Sequence, residues 1–434
     1  MDIHVVQPGE TIESIANRYG INKERLILDN DLPNPYNLVV GQSIIIIYPA
    51  ITYTVQEGDT LKGIADSFQI SVMQLLRNNP FLSNREYIYP GETLVISYGD
   101  KKGKIITNGY ANSFINREIL RKTLPYLTYI SIFGYMINEN ADIIEPDDEE
   151  LIQMAKEYHV APIMLVSTLS FEGVGSAEAA YNILYNEDTA DKYIENILNI
   201  LRRKGLYGVS VIYSYLSEIN EEVYSNLTEK MMRRLNSEGY IVITSIPPMT
   251  TIEANIVTFD KINYSLIGDY ANQIVVMNYS WGRNPGPPIP AASIFMLRLF
   301  VDYLITLLPR DKMIIGLPVF GYAWELPYII GVTEANALTY ESAINLALDT
   351  GSEIKFDETS QNPYYEFIVN RAGVPIQYIV WFVDVRSIVA LTGLVTEYNS
   401  PGIAVWNIMT YFQQMWLFIN SQYEIETILH DDEA

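Results

Sequence analysis

No cysteine occurs in this 434-residue chain. That excludes disulfides, thiolate nucleophiles and Cys-ligated metal centres. Histidine is nearly as scarce. His4, His159 and His430 are scattered, so no metal-ligand spacing exists and no metal site is expected. Basic residues are outnumbered, 28 Lys and Arg against 52 Asp and Glu, for a net charge of −24. Such a surface repels phosphate polymers and anionic lipid, so neither nucleic acid nor an anionic membrane is an expected partner. There is no Walker loop and no dinucleotide fingerprint; Gly173-Val174-Gly175-Ser176 reads as a plain loop, and no cofactor is expected. Long apolar runs are missing too. Leu38 to Ile47 is interrupted by Gly41-Gln42-Ser43 and is too short to cross a bilayer. The start, Met1-Asp2-Ile3-His4, lacks the basic region and apolar stretch of a secretory leader. The expectation is a protein made without a signal peptide, released by lysis or deposited by an enclosing cell.

What is present is apolar bulk. Hydrophobic residues make up 49% and charged residues only 18%, which favours a large core over disorder. The length accommodates a barrel of about 250 residues plus smaller units. Thirty-three tyrosines supply apolar faces with polar tips, which suit core packing, sugar contacts and self-association alike.

An internal repeat opens the chain. Val6-Gln7-Pro8-Gly9-Glu10-Thr11-Ile12 recurs as Val55-Gln56-Glu57-Gly58-Asp59-Thr60-Leu61, and Ile15-Ala16 as Ile64-Ala65. Leu26 and Asn30 recur as Leu75 and Asn79, and Gly41 as Gly91. Each copy reads strand, helix, helix, strand. His4-Val5-Val6 and Tyr53-Thr54-Val55 favour extended chain. Thr11 and Thr60 are placed to cap a first helix. Ile12, Ile15, Ala16 and Tyr19 fall on one helical face.

In this pattern each copy resembles a LysM module, over residues 1–48 and 51–98. The resemblance implies binding of polymers containing N-acetylglucosamine, such as peptidoglycan or chitin. The implied groove lies between the loop entering the first helix and the loop leaving the second. Its candidate residues are Gly9, Glu10, Thr11, Ile12 and Asn30 in the first copy, and Gly58, Asp59, Thr60, Leu61 and Asn79 in the second. The plainer alternative is that Gly9, Gly58, Asn30 and Asn79 only shape turns.

A polar linker, Gly99 to Lys104, leads to a larger unit over 105–434. Eight short apolar segments alternate there with amphipathic ones: Ile105–Gly109, Tyr129–Phe133, Ala161–Ser167, Gly208–Tyr213, Tyr240–Ile246, Gln273–Tyr279, Lys312–Gly316 and Gly402–Asn407. This predicts an α/β fold, a (β/α)8 barrel, with an inserted α+β subdomain at roughly 325–381. Chemistry is then expected at the C-terminal strand ends.

Several segments resemble family-18 glycoside hydrolases, in particular LysM-bearing N-acetylglucosaminidases that degrade spore cortex. These are Val275 to Trp281, Lys312 to Trp324, Val380 to Asp384 and Gly402 to Trp406. The resemblance implies a fourth-strand motif D-x-x-D-x-D-x-E, whose Glu protonates the glycosidic oxygen. The preceding Asp positions the substrate's N-acetyl group as internal nucleophile, a departure from the usual two-carboxylate scheme. Here Tyr207, Ser210, Ile212 and Ser214 occupy those positions, and no carboxylate remains. Tyr279, Trp406, Asn278 and Met277 match positions that line the sugar subsite.

Three readings follow. The preferred one is a non-catalytic glycan-binding or structural protein of a spore coat, exosporium or cell surface, partnered by glycan, by coat proteins or by itself. The second is an active N-acetylglucosaminidase with an acid relocated to Glu172 or Asp384. The third is a scaffold whose modules bind glycan while the barrel binds protein.

Overall fold

The computed structural model describes residues 1–32, 34–83, 85, 87–167, 177–212, 221–248, 250–253, 256–259, 264–277 and 286–429. Each N-terminal copy is a βααβ unit. In the first, Asp2–Val5 pairs antiparallel with Ser43–Ile46, and helices Ile12–Tyr19 and Lys23–Asn30 lie between them. In the second, Ile51–Thr54 pairs with Thr93–Ser97 around helices Leu61–Ser67 and Val72–Asn78. The predicted caps form: the Thr11 hydroxyl accepts from Ser14 N at 3.1 Å and Thr60 from Gly63 N at 3.0 Å. Each unit buries its own small core, Ile12, Ile15, Leu26 and Ile44 in one and Ile64, Leu75, Leu94 and Ile96 in the other.

The larger unit closes as an eight-stranded parallel barrel. In chain order its strands are Lys104–Asn112, Tyr129–Ile137, Ala161–Ser167, Gly208–Ile212, Ile241–Ile246, Gln273–Val276, Met313–Pro318 and Gly402–Trp406. Each pairs in parallel with its neighbour, and the last pairs with the first. All eight coincide with the apolar segments read from the sequence. Strand alternation sends one set of side chains into the lumen and the other toward the helices. Ile163, Leu165, Ile212, Ile243, Val275, Ile314 and Ala404 form the lumen cluster, whereas Met164, Val166, Val209, Val211, Val242 and Ile274 join the layer under the helices. Tyr129, Tyr207, Ile428 and Leu429 pack at the opposite end of the lumen from Trp406, where the C-terminal segment runs beside the first strand.

The helix before strand four shows how local sequence fixes an element. Asn186 caps Glu187–Lys204 by accepting from Thr189 N. Glu187 and Asp188 fill its first turn, and Arg202, Arg203 and Lys204 its last, matching the helix dipole at both ends. Left-handed Gly205 stops it and turns the chain into the strand.

Between strands seven and eight a five-stranded antiparallel sheet carries helix Tyr340–Thr350. This is the expected inserted subdomain. It also forms a seat for the first module. The Ile354 amide donates to Val40 O at 2.9 Å, Val39 joins the subdomain's apolar cluster, and Arg386 donates to Gly41 O. The second module meets the barrel through Asn420, whose Nδ2 donates to Asn78 Oδ1 at 2.8 Å, and through Tyr126, whose hydroxyl donates to Arg77 O. The repeats are therefore docked on the barrel rather than strung before it. Among the described residues no helix is long and apolar enough to cross a membrane.

Candidate functional site

Strand four places Ser210 and Ile212 on the lumen side, with Ser210 fully buried and Ile212 7% exposed. Ile212 pairs with Ser167 on one neighbour and Ser245 on the other. Tyr207 lies at the far end of the same strand, its ring 6.2 Å from Tyr129. Ser214 lies outside the described residues, as do Asn278, Tyr279, Tyr213, Tyr215 and Glu172. Met277 is buried in the lumen cluster at the end of strand six.

Trp406 ends strand eight at the mouth and is only partly buried. Its ring sits 5.2 Å from Tyr110 and 5.8 Å, edge-on, from Phe133. These contacts fix the indole's orientation. Tyr110 is held in turn by Ser245, whose Oγ is 3.3 Å from the phenol oxygen. Burial raises the Tyr110 hydroxyl above its usual range, so it stays protonated near neutrality. Along the eight strands, the lumen-facing positions among the described residues carry Asn108, Tyr110, Ser131, Phe133, Ser210, Ile212, Ser245, Met277 and Trp406, and no carboxylate. The mouth is aromatic and hydroxyl-rich. Such a surface can stack and hydrogen-bond a neutral ring, but these residues offer no proton donor with an acid's pKa.

Asp384, the acid considered as a relocated catalyst, is committed elsewhere. It is 1% exposed, caps helix Val385–Tyr398, and pairs with Arg386 at 2.7 Å. Its remaining partner is the Ser43 hydroxyl of the first module, at 2.9 Å. It is a structural anion at the seam between module and barrel.

In the modules the structure separates scaffold from surface. Asn30 and Asn79 are buried. Each donates to a helix carbonyl, Leu26 O or Leu75 O, and exchanges bonds with the closing strand at Ile45 or Val95. They tie the second helix to the second strand. Ile12 is 1% exposed and belongs to the module core. Glu10 and Asp59 clamp the turn before the first helix. Glu10 accepts from Gln7 N at 2.9 Å and meets His4 and Arg18; Asp59 accepts from Gln56 N at 2.7 Å and from the Tyr53 hydroxyl. Burial pushes the Glu10 carboxyl up, but the Gln7 amide, His4 and Arg18 outweigh it and hold it below the ordinary value. Gly9, Thr11, Gly58 and Thr60 remain exposed, and Leu61 is half-buried. Sequence reasoning missed His4, a buried clamp on Glu10. Its signal was the β-branched strand around it, which predicts burial at alternate positions.

The model for glycosyl hydrolases family 18 matches residues 106–410, more than half of the chain. The chain belongs to glycosyl hydrolase family 18. The LysM domain model matches residues 4–46 and 53–97. A cortical fragment-lytic enzyme of Bacillus subtilis is 29% identical over 98% of this chain and 99% of its own length. The crystal structure of the Bacillus megaterium spore cortex-lytic enzyme SleL superposes with a TM-score of 0.79 at 28% identity, covering 98% of this chain and 99% of that one. The Bacillus cereus SleL structure gives 0.78 at 26% identity, with the same coverage. The likeness therefore includes both modules and the barrel.

Proposed function

We propose that this protein is a non-catalytic member of its family that binds N-acetylglucosamine-containing polymer, first of all spore cortex peptidoglycan, within a bacterial spore surface layer. The observation that carries the reading is the fourth strand, where Ser210 and Ile212 stand at two of the acid positions and Ser214 at the last. A serine hydroxyl cannot protonate a leaving glycosidic oxygen near neutral pH. General acid catalysis contributes about 10²- to 10⁴-fold in rate. An isoleucine cannot orient an acetamido group, so the positional advantage of an internal nucleophile is lost as well. The buried engagement of Asp384 supports the same reading, because a capped and ion-paired carboxylate is not free to deliver a proton.

Binding is supported by what the architecture keeps. Trp406 is braced at the mouth by Tyr110 and Phe133, and two modules matching the LysM family are docked beside the barrel. The relatives named as cortex-lytic support cortex as the polymer and the spore as the place. Co-sedimentation with purified cortex tests the proposal, with the supernatant analysed by mass spectrometry. Retention of the protein on the polymer with no released muropeptide is the expected result. Muropeptides accumulating in proportion to protein would overturn it.

A further inference from the structure

Strands Asn362–Arg371 and Val374–Trp381 of the inserted sheet run on past their neighbours. On one side Phe320–Leu326 stops opposite Gln377, and on the other Lys355–Asp357 stops opposite Tyr364. What extends beyond is a two-stranded arm. It is closed by Ala372 and Gly373 in left-handed backbone, φ 52° and 84°. Two strands alone are marginally stable in water. These two also turn aliphatic side chains outward: Ile368 is 65% exposed and Val369 39%.

The two edges of the arm are not alike. In a two-residue hairpin the pair beside the turn, Arg371 and Val374, is hydrogen-bonded. The next residues, Asn370 and Pro375, therefore point their backbone groups outward. Pro375 has no N–H to offer, which guards its edge against pairing. The opposite edge carries no proline, no lysine and no bulge. There Ile368 and Asn370 present N–H and C=O outward, and no strand among the described residues pairs with them. Glu366, the next residue of the same set, already accepts from Ser352 Oγ at 3.4 Å through its carbonyl.

We propose that this edge pairs with the same edge of a second copy of the chain, antiparallel, about a two-fold axis through Val369. That register uses both free residues of each copy, Ile368 facing the partner's Asn370 and the reverse. It sets Val369 against the partner's Val369. It also sets Phe367 against the partner's Arg371, a cation beside a ring. In each copy Phe367 already stacks on Tyr378, centroids 5.1 Å apart, and Arg371 donates to the Tyr378 hydroxyl at 3.0 Å. No like charges meet, for the arm holds one acid, Glu366, and one base, Arg371. In a chain of net charge −24 a neutral arm is where two copies can approach. A basic partner would instead be drawn to the acidic surface elsewhere. The pairing is independent of what the barrel binds.

Sedimentation velocity of the full chain, over a range of protein and salt concentrations, tests it. The wild type should form a dimer whose share rises with protein and with salt, because salt screens the repulsion between acidic copies and spares an apolar edge. Val369→Lys sets two ammoniums face to face and should weaken association about tenfold or more. Val332→Lys, an exposed loop position on the guarded side, should leave it within about twofold. Neither side chain belongs to the buried cluster under the sheet. The absence of native cysteine allows a second readout under a thiol oxidant. Val369→Cys should give a disulfide-linked dimer, because a non-hydrogen-bonded pair brings its Cα atoms to about 4.5 Å. Ile368→Cys should not, although that side chain is the more exposed, because its counterpart lies diagonally across, beyond the roughly 7 Å that a disulfide can span. A monomer at every protein and salt concentration, or a dimer that dissociates as salt rises, would overturn the proposal. So would equal loss in Val332→Lys, or cross-linking of Ile368→Cys as fast as Val369→Cys.

Discussion

Replacing Gly41 by alanine should destabilise the protein far more than the same change at Gly91. The two glycines hold the same place in the repeat and nearly the same backbone, φ 86° and 91°. An alanine pays about 1–2 kcal/mol for left-handed backbone at either position. Beyond that, the sites differ only in what the barrel does. A Cβ on Gly91 meets nothing within 4 Å, whereas one on Gly41 would stand 1.9 Å from Ile354 O and 2.7 Å from its carbon. Backbone cannot yield by an ångström without opening the seam. Opening it breaks the Ile354 N to Val40 O bond and the contact from Arg386 to Gly41 O. A neutral bond contributes about 0.5–1.5 kcal/mol and one to a charged group about 1.5–3. The excess for Gly41→Ala over Gly91→Ala is then about 2–4.5 kcal/mol. Urea unfolding followed by circular dichroism measures both, and hydrogen exchange over residues 39–47 locates the loss. Equal destabilisation of the two variants would refute the docking of the first module on the subdomain.

Asp384→Ala removes a helix cap and strands Arg386 beside it, for a loss of about 3–5 kcal/mol, and Ser43→Ala should cost about 1.5–3 kcal/mol. A double-mutant cycle on unfolding free energies should show coupling between them; additivity would mean that the 2.9 Å bond does not form. The depressed Glu10 carboxyl makes the first module acid-sensitive. Its stabilisation is complete above the unfolded value, 4.5, and is lost as pH falls through the lower folded value. Glu10→Gln should therefore flatten the stability profile below pH 4.5, and an unchanged slope there would contradict the turn clamp.

Much of this was legible in the sequence, for reasons that can be traced. The repeat was visible because Gly, an acid and Thr must follow one another to turn a strand into a capped helix. The barrel strands were visible because each is a short apolar run between polar turns. The asparagines were ambiguous for an equally definite reason. An Asn recurring at the end of the second helix is what a ligand-binding loop would show, and equally what a buried amide bridging helix and strand would show. Only the partners Ile45 and Val95, 15 and 16 residues away, distinguish them. The seam was illegible because Ser43 and Asp384 lie 341 residues apart, and nothing local in either marks the other. Asp384 looked available as a catalyst because its cap and its two partners appear only in three dimensions.

The proposal of a non-catalytic family member is tested most directly by putting carboxylates on the fourth strand. Wild type and an Ile212→Asp, Ser214→Glu double variant should be incubated at high concentration with cortex fragments and chitooligosaccharides, and products counted by mass spectrometry. The account predicts no product from the wild type and measurable cleavage by the variant. Product from the wild type at a rate proportional to enzyme would contradict it.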